Sequence, residues 1–423
     1  MNLLIKSARI IDINSKHHNK VMDILIKNGK IEQIAKSIKN KNQKEMTHKN
    51  LYVSPGWFDL HVNFGEPGFE QKETFYSGCK SAAEGGFTSV LTMPNTNPKI
   101  DNKPMVELIK NMTQKNIIDV YPAGNLTEKG KGNNIVEMHD MHNAGCIAFT
   151  DDKDSISKSQ LLKIAMLYSN DCDTLIMNHP NEKDLSNKGQ IHEGNISAKF
   201  GIKGIPRIAE EIMVNRDITL CEYTKSRFHL SYISTKESVK QLKKAKSKGL
   251  NITADVSLYN LFLTDKKIID FDTRYKVIPP LREESDNKAL IRGLKDGTID
   301  AITTDHTPQD EENKKVEFNN AKNGIIGLES AFGLLIKNLS PHINISQIIE
   351  KIAINPRKIL KLPKVVINEG EYANLTLFDP ELEWIFTEKN IKSKSKNTPF
   401  IGEKLKGKAL GIYNNKKFFK CKS

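Results

Sequence analysis

The sequence predicts an α/β protein built as a (β/α)8 barrel, with a small flanking β-domain assembled from both ends of the chain. Three observations carry that expectation. From about Val53 onward, short apolar runs alternate with charged amphipathic stretches over roughly 300 residues, the pattern of repeated βα units. The two ends of the chain instead read as strands with no helices between them. Polar residues then fall at the C-terminal ends of successive strand candidates: Asp59 and His61, Asn95, Asp151, His179, Ser234 and Asp305. A barrel gathers such residues into one mouth. The expected division is 54–364 for the barrel, with 1–53 and 365–423 for the composite β-domain. A doubly wound sheet is the alternative, but no G-x-G-x-x-G opens it.

Taken in order, the segment from Leu3 to Ile11 is the first strand candidate. Asn28-Gly29 between two alternating apolar runs predicts a hairpin with a type I′ turn, whose two central residues need positive φ. Residues 37–50, rich in Lys and Asn, read as a loop. A helical pattern at 73–84 precedes the run FTSVLTM at 87–93. Further strand candidates lie at 117–121, 146–150, 174–178, 228–233, 252–256 and 299–304, with a charged amphipathic helix at 235–248. Strands return at 373–379, 408–413 and 417–420.

The chain has 423 residues, 38% hydrophobic and 27% charged, with a mean hydropathy of −0.48. That composition suits a folded globular protein, and no apolar run approaches the ~18 residues of a membrane span. The N-terminus alternates and carries charge, without the apolar core of a signal peptide, so a cytoplasmic protein is expected. Five cysteines without a CxxC argue against a disulfide framework or a zinc knuckle. The net charge of +13 comes from lysines dispersed along the whole chain and accompanied by no nucleic-acid-binding motif. Neither a nucleic-acid nor a membrane partner is therefore expected. The basic end, KKFFKCKS, reads as a solvated tail.

The segment PGWFDLHVNFGEPG at 55–68 is the most informative. Asp59, His61 and Asn63 alternate on a strand and so share a face. Two histidines at i and i+2 there would form a metal-binding pair, but the second position is Asn63, a poor ligand. Alone, His61 reads as a hydrogen-bonded structural histidine. Asp151 reads as a metal-bridging carboxylate or as a cap for the next helix. His179 ends another strand as a candidate imidazole ligand. Asp305, in Thr-Asp-His, could bind metal and act as a general base on bound water.

Together these segments resemble the dihydroorotases of the amidohydrolase superfamily, in the longer class found also in multifunctional pyrimidine enzymes. The resemblance runs over essentially the whole chain. It is carried by 55–68, KET at 72–74, GGFT at 85–88, MPNTNP at 93–98, FTDD at 149–152, STKESV at 234–239, PPLR at 279–282, LKDGTID at 294–300, TDH at 304–306, GIIGLE at 324–329 and NPR at 355–357. It implies a metal-dependent barrel with a flanking β-sandwich that hydrolyses a cyclic amide, interconverting dihydroorotate and N-carbamoyl-aspartate.

By the resemblance, two zinc ions would be held by His61, Asp151, His179 and Asp305, with Asp305 also the base. Asn63 and Tyr232 stand where the family has two further histidine ligands. Among substrate positions Asn95 is retained, whereas Gly65, Ile278 and Gln309 replace the family's arginine, asparagine and histidine. A charged hydrogen bond contributes about 1.5–3 kcal/mol, and glycine at the arginine position supplies none. The resemblance therefore implies weak zinc binding or none, and a catalytically impaired, pseudoenzyme-like subunit. Relatives of that kind assemble with aspartate carbamoyltransferase, and family members are usually homo-oligomeric. An active enzyme with a reduced metal site is the alternative.

Overall fold

The structure is a computed structural model and describes residues 2–40 and 42–422. Eight parallel strands follow one another round a barrel that is nearly closed. They are Trp57–Val62, Phe87–Thr92, Asp119–Gly124, Ala148–Phe149, Leu175–Asn178, Phe228–Leu230, Ile252–Ser257 and Ala301–Thr303. Their order in space is their order in sequence, as alternating βα units require. The seam between the first and last strands is closed by Asp59, which accepts hydrogen bonds from the Thr303 hydroxyl and from the backbone and hydroxyl of Thr304. An isolated parallel bridge, Val62 to His306, continues the seam.

The helices show the local chemistry that starts them. Phe75–Gly85 begins at Thr74, whose hydroxyl accepts from the Ser77 amide. Lys236–Ser247 begins at Thr235, which does the same for Ser238. Val239, Leu242 and Ala245 form its buried stripe, at the spacing of one helix face.

The chain ends meet in one hydrogen-bonded sheet of eight strands. Leu3–Ile10 pairs antiparallel with Val21–Lys27 and parallel with Tyr52–Pro55. Tyr52–Pro55 pairs antiparallel with Leu375–Ile385, which pairs with Lys404–Asn414. Four residues just before the first barrel strand thus tie the two ends within the sheet, and an antiparallel bridge between Lys30 and Tyr372 joins them a second time. The Asn28-Gly29 turn joins Val21–Lys27 to Lys30–Ala35 with φ of 50° and 86°, as a type I′ turn demands. Leu3, Ile5, Ile24, Ile26, Val53, Leu375 and Leu377 make the core of this domain. Trp57 packs on Phe332 and Phe378 at ring-centroid distances of 4.5 and 5.6 Å, where barrel and sheet meet.

Two local expectations are corrected. The polar segment 37–50 is not all loop, because Lys44–Met46 adds a short strand parallel to Leu3–Ile5. The basic end is not a solvated tail: Lys417–Lys420 is an edge strand, and Cys421 is buried with its thiol near the Ala83 carbonyl. Lys417 and Lys420 stay exposed, whereas Phe418 and Phe419, on opposite faces of the strand, are half-buried against two different parts of the core. Ser423 lies outside the described residues. Among the described residues no helix is long and apolar enough to cross a membrane.

All five cysteines are free and buried. Burial pushes the thiols of Cys79, Cys146 and Cys221 up to about 12, so they stay protonated at ordinary pH. Ellman's reagent at pH 8 is expected to leave the native protein unmodified over minutes and to titrate five thiols once it is denatured. A rapidly reacting thiol in native protein would contradict this packing.

Candidate active site at the barrel mouth

The mouth is built by residues at or just beyond the strand ends: His61, Asn63, Asn95, Asp152, Lys153, His179, Tyr232 and Asp305. Asp255 and His229 lie one layer below, within their strands. Three of these positions have left-handed backbone: Asp152 (φ 51°), Tyr232 (φ 57°) and Asp305 (φ 50°). That conformation is uncommon for side-chain-bearing residues, above all for a bulky one such as tyrosine. Its repetition at three strand ends sets the mouth apart as the candidate site.

Asp255 organises the layer beneath. Its Oδ2 faces Nε2 of His61 at 2.5 Å and Nε2 of His229 at 3.0 Å, while Oδ1 accepts from the Tyr232 amide at 2.7 Å. Burial opposes charge on His61, but Asp255, with Asp152 and Asp59 beyond it, outweighs burial and raises its pKa. Burial likewise opposes charge on Asp255, and the two imidazoles overcome it and hold the carboxyl well below its usual range. The His61 ring lies 4.2 Å from the Tyr232 ring, centroid to centroid.

Above that layer, the Tyr232 hydroxyl donates to Asp152 Oδ1 at 3.1 Å, and the Asn95 amide donates to Asp152 Oδ2. Asn95 also reaches Asn63 Oδ1 at 3.4 Å, and Asn63 donates to the Thr307 hydroxyl at 3.3 Å. Lys153 donates to both oxygens of Asp305, at 2.7 and 2.8 Å. Burial, partly offset by Lys153, pushes the Asp305 carboxyl up to about 6. His179 is buried edge-on to Tyr232, and burial with the nearby Lys153 charge brings its pKa down to about 3.

Asp151, expected as the bridging carboxylate, is turned away from the mouth. It accepts from the amides of Leu126 and Thr127, from the Thr127 hydroxyl and from Asn125. Those donors fix the turn after the third barrel strand, and Asp151 caps no helix. Asp152 is the carboxylate that faces the mouth, because its left-handed backbone breaks the alternation that holds on an extended strand. His61, His179 and Asp305 are at the mouth, and Asn95 lies at its rim.

Of the replaced substrate positions, Gly65 has φ of 72°, and a Cβ there would lie 2.8 Å from the Phe69 carbonyl oxygen. Gln309 spends its amide on the Asn323 carbonyl at 2.9 Å. Ile278 is half-buried.

The donors present do not fit the two-zinc set that the resemblance implies. Among the described residues, potential metal ligands come together as His61–His229–Asp255 and His192–Asp265–Glu283. Neither group contains Asp151, His179 or Asp305. In the first, both imidazole Nε2 atoms face one oxygen of Asp255, at 2.5 and 3.0 Å, so the three groups pair with one another. In the second, Arg282 donates to His192 Nδ1 at 3.2 Å, which leaves the proton on Nε2.

The motifs outside the mouth serve the framework. Glu210 accepts from the amides of Ser234 and Thr235, and Arg282 donates to the Ser234 hydroxyl and the Ile205 carbonyl. Arg357 donates to the carbonyls of Gly56 and Ala353 beneath the barrel. Glu329 accepts from the amides of Lys392 and Ser393.

The fold is that of solved hydantoinase structures. L-Hydantoinase (dihydropyrimidinase) from Arthrobacter aurescens superposes with a TM-score of 0.87 at 21% identity, covering 100% of this chain and 96% of that one. D-Hydantoinase from a Thermus species gives 0.82 at 21% identity, covering 99% and 95%. A family model described as dihydro-orotase-like matches residues 51–238. A dihydroorotase of Caldicellulosiruptor saccharolyticus is 42% identical over 426 residues, covering 99% of this chain and 98% of the relative. A dihydroorotase of Acetivibrio thermocellus is 42% identical over 408 residues, covering 96% of each. The chain belongs to the dihydroorotase family.

Proposed function

We propose that this chain is a dihydroorotase-like protein of de novo pyrimidine biosynthesis that has lost ring-opening chemistry. In this reading it is a non-catalytic cytoplasmic subunit that forms homo-oligomers and assembles with aspartate carbamoyltransferase. The observation that carries the loss of chemistry is the state of the mouth. Asp305, the residue placed to act as base, has both oxygens bound by Lys153. Asn63 and Tyr232 stand at histidine positions of the family, and Gly65 removes its carboxylate clamp. The framework contacts of Glu210, Arg282, Glu329 and Arg357 remain, as a protein kept for assembly requires.

A second reading, a working zinc-dependent hydrolase of dihydroorotate or another cyclic amide, is favoured by one observation. Identity to proteins named dihydroorotase reaches 42% across 99% of the chain. Under that reading Lys153 leaves Asp305 when substrate arrives, and His61, His179, Asp152 and Asp305 supply the donors.

Two measurements separate the readings. Dihydroorotate hydrolysis in the presence of added zinc is expected to match the buffer blank, and a rate above it would favour the second reading. Mixing with aspartate carbamoyltransferase from the same organism is expected to give a larger particle by sedimentation velocity. Independent sedimentation of the two would remove the assembly role.

A further inference from the structure

We propose that the Lys153 ammonium is the resident cation of the barrel mouth, fixed between Asp305 and the face of Tyr232, so that the chain supplies its own countercharge in place of a bound ion. The inference rests on the proposed loss of metal chemistry and adds the group responsible for it. Asp305 is 2% exposed, and a carboxylate buried that deeply needs a paired charge. Lys153 meets that need with two hydrogen bonds, at 2.7 and 2.8 Å, one to each oxygen. Its ammonium also lies 5.1 Å from the centroid of the Tyr232 ring, within cation–π range. The ring is held from both ends: the Tyr232 amide is bound by Asp255, and its hydroxyl by Asp152.

The other carboxylates of the mouth are satisfied by neutral or imidazole donors. Asp152 takes hydrogen bonds from Tyr232 and Asn95, one on each oxygen. Asp255 takes them from the Tyr232 amide and from His61 and His229. No carboxylate oxygen of the three is left without a donor, so an incoming divalent ion must displace Lys153 to reach Asp305. Tyr232 and Lys153 act as a unit here, because the ring forms the wall against which the ammonium rests.

The test is a double-mutant cycle on the full-length chain with Lys153→Met and Asp305→Asn, read by thermal and denaturant unfolding with and without excess zinc chloride. Lys153→Met is expected to lower Tm by roughly 5 °C or more, since it strands a buried carboxylate. The double variant is expected to recover much of that loss, because the pair is removed together. Zinc is expected to leave the wild-type Tm unchanged and to raise that of Lys153→Met by binding the uncovered Asp305 carboxylate. Additive single effects, or a zinc-raised Tm in wild type, would overturn the inference.

Should Lys153→Met fail to fold, amine labelling of the native wild type tests the same pairing. Lys153 is expected to react far more slowly with a water-soluble acylating reagent than exposed Lys315, and to speed up in Asp305→Asn. Equal rates for Lys153 and Lys315 in wild type would overturn the inference. Turnover of dihydroorotate without bound zinc, alongside strong coupling, would remove only the proposed function. A chain without turnover and without coupling would remove only this inference.

Discussion

Replacing Asp255 with alanine is expected to destabilise the chain by about 3–5 kcal/mol, the range for breaking a buried charge pair on one side. One carboxylate serves His61, His229 and the Tyr232 amide, and all of these groups are buried. Its loss strands two imidazoles and frees the amide that holds Tyr232 in a left-handed conformation. The effect depends on pH from both sides. The depressed Asp255 pKa contributes stability that is present above its unfolded value, about 3.9, and is lost as pH falls through the folded value. The raised His61 pKa contributes stability that is present below its unfolded value, about 6.5, and is lost as pH rises through the folded value. The gap between wild type and Asp255→Ala in urea midpoints should therefore be widest between about pH 4 and 6.5. A gap that is small and flat across that window would mean the triad contributes little.

The second large effect concerns restoration of the family residues. The five-fold variant Asn63→His, Gly65→Arg, Tyr232→His, Ile278→Asn and Gln309→His is expected neither to bind zinc nor to turn over dihydroorotate. Gly65 is the first obstacle. Its φ of 72° and a Cβ position 2.8 Å from the Phe69 oxygen leave no room for any side chain without moving the loop. The Phe69 amide closes that loop onto the Gly65 carbonyl at 2.8 Å, so the turn resists opening. The left-handed backbone alone costs about 1–2 kcal/mol for an L-residue, before the collision is counted. Lys153 is the second obstacle, since it remains on Asp305 in this variant. The four-fold variant that keeps Gly65 should be the more stable of the two, by thermal unfolding. Recovery of turnover in the five-fold variant would show that the loop yields easily and that Lys153 is no barrier.

The barrel was legible because its strands are runs of apolar residues bounded by turn chemistry, and that pattern needs no tertiary information. The Asn28-Gly29 turn was legible for a similar reason: few dipeptides accept two positive φ angles in succession. Edge elements were less so. Lys44–Met46 and Lys417–Lys420 are short and carry exposed charged residues on both faces, and only a neighbouring strand makes them strands.

The mouth was legible at His61, His179 and Asp305, whose positions follow from strand ends. It was not legible at Asp151 and Asp152. Alternation assumes extended backbone, and the positive φ at Asp152 exchanges which of the two carboxylates faces the mouth. Lys153 gave no signal in a chain with 64 lysines and arginines, because its role exists only once Asp305 is brought beside it. Asp255 is a single acidic residue inside an otherwise ordinary strand, and what it binds comes from two other strands.

The loss of metal chemistry is tested most directly by metal content, measured by plasma emission on freshly purified chain, with dihydroorotate turnover assayed on the same sample. No stoichiometric metal and no turnover are expected. One zinc per chain with turnover would contradict the proposed loss, and would mean that Lys153 yields Asp305 to a metal and that the ring opens without the arginine clamp.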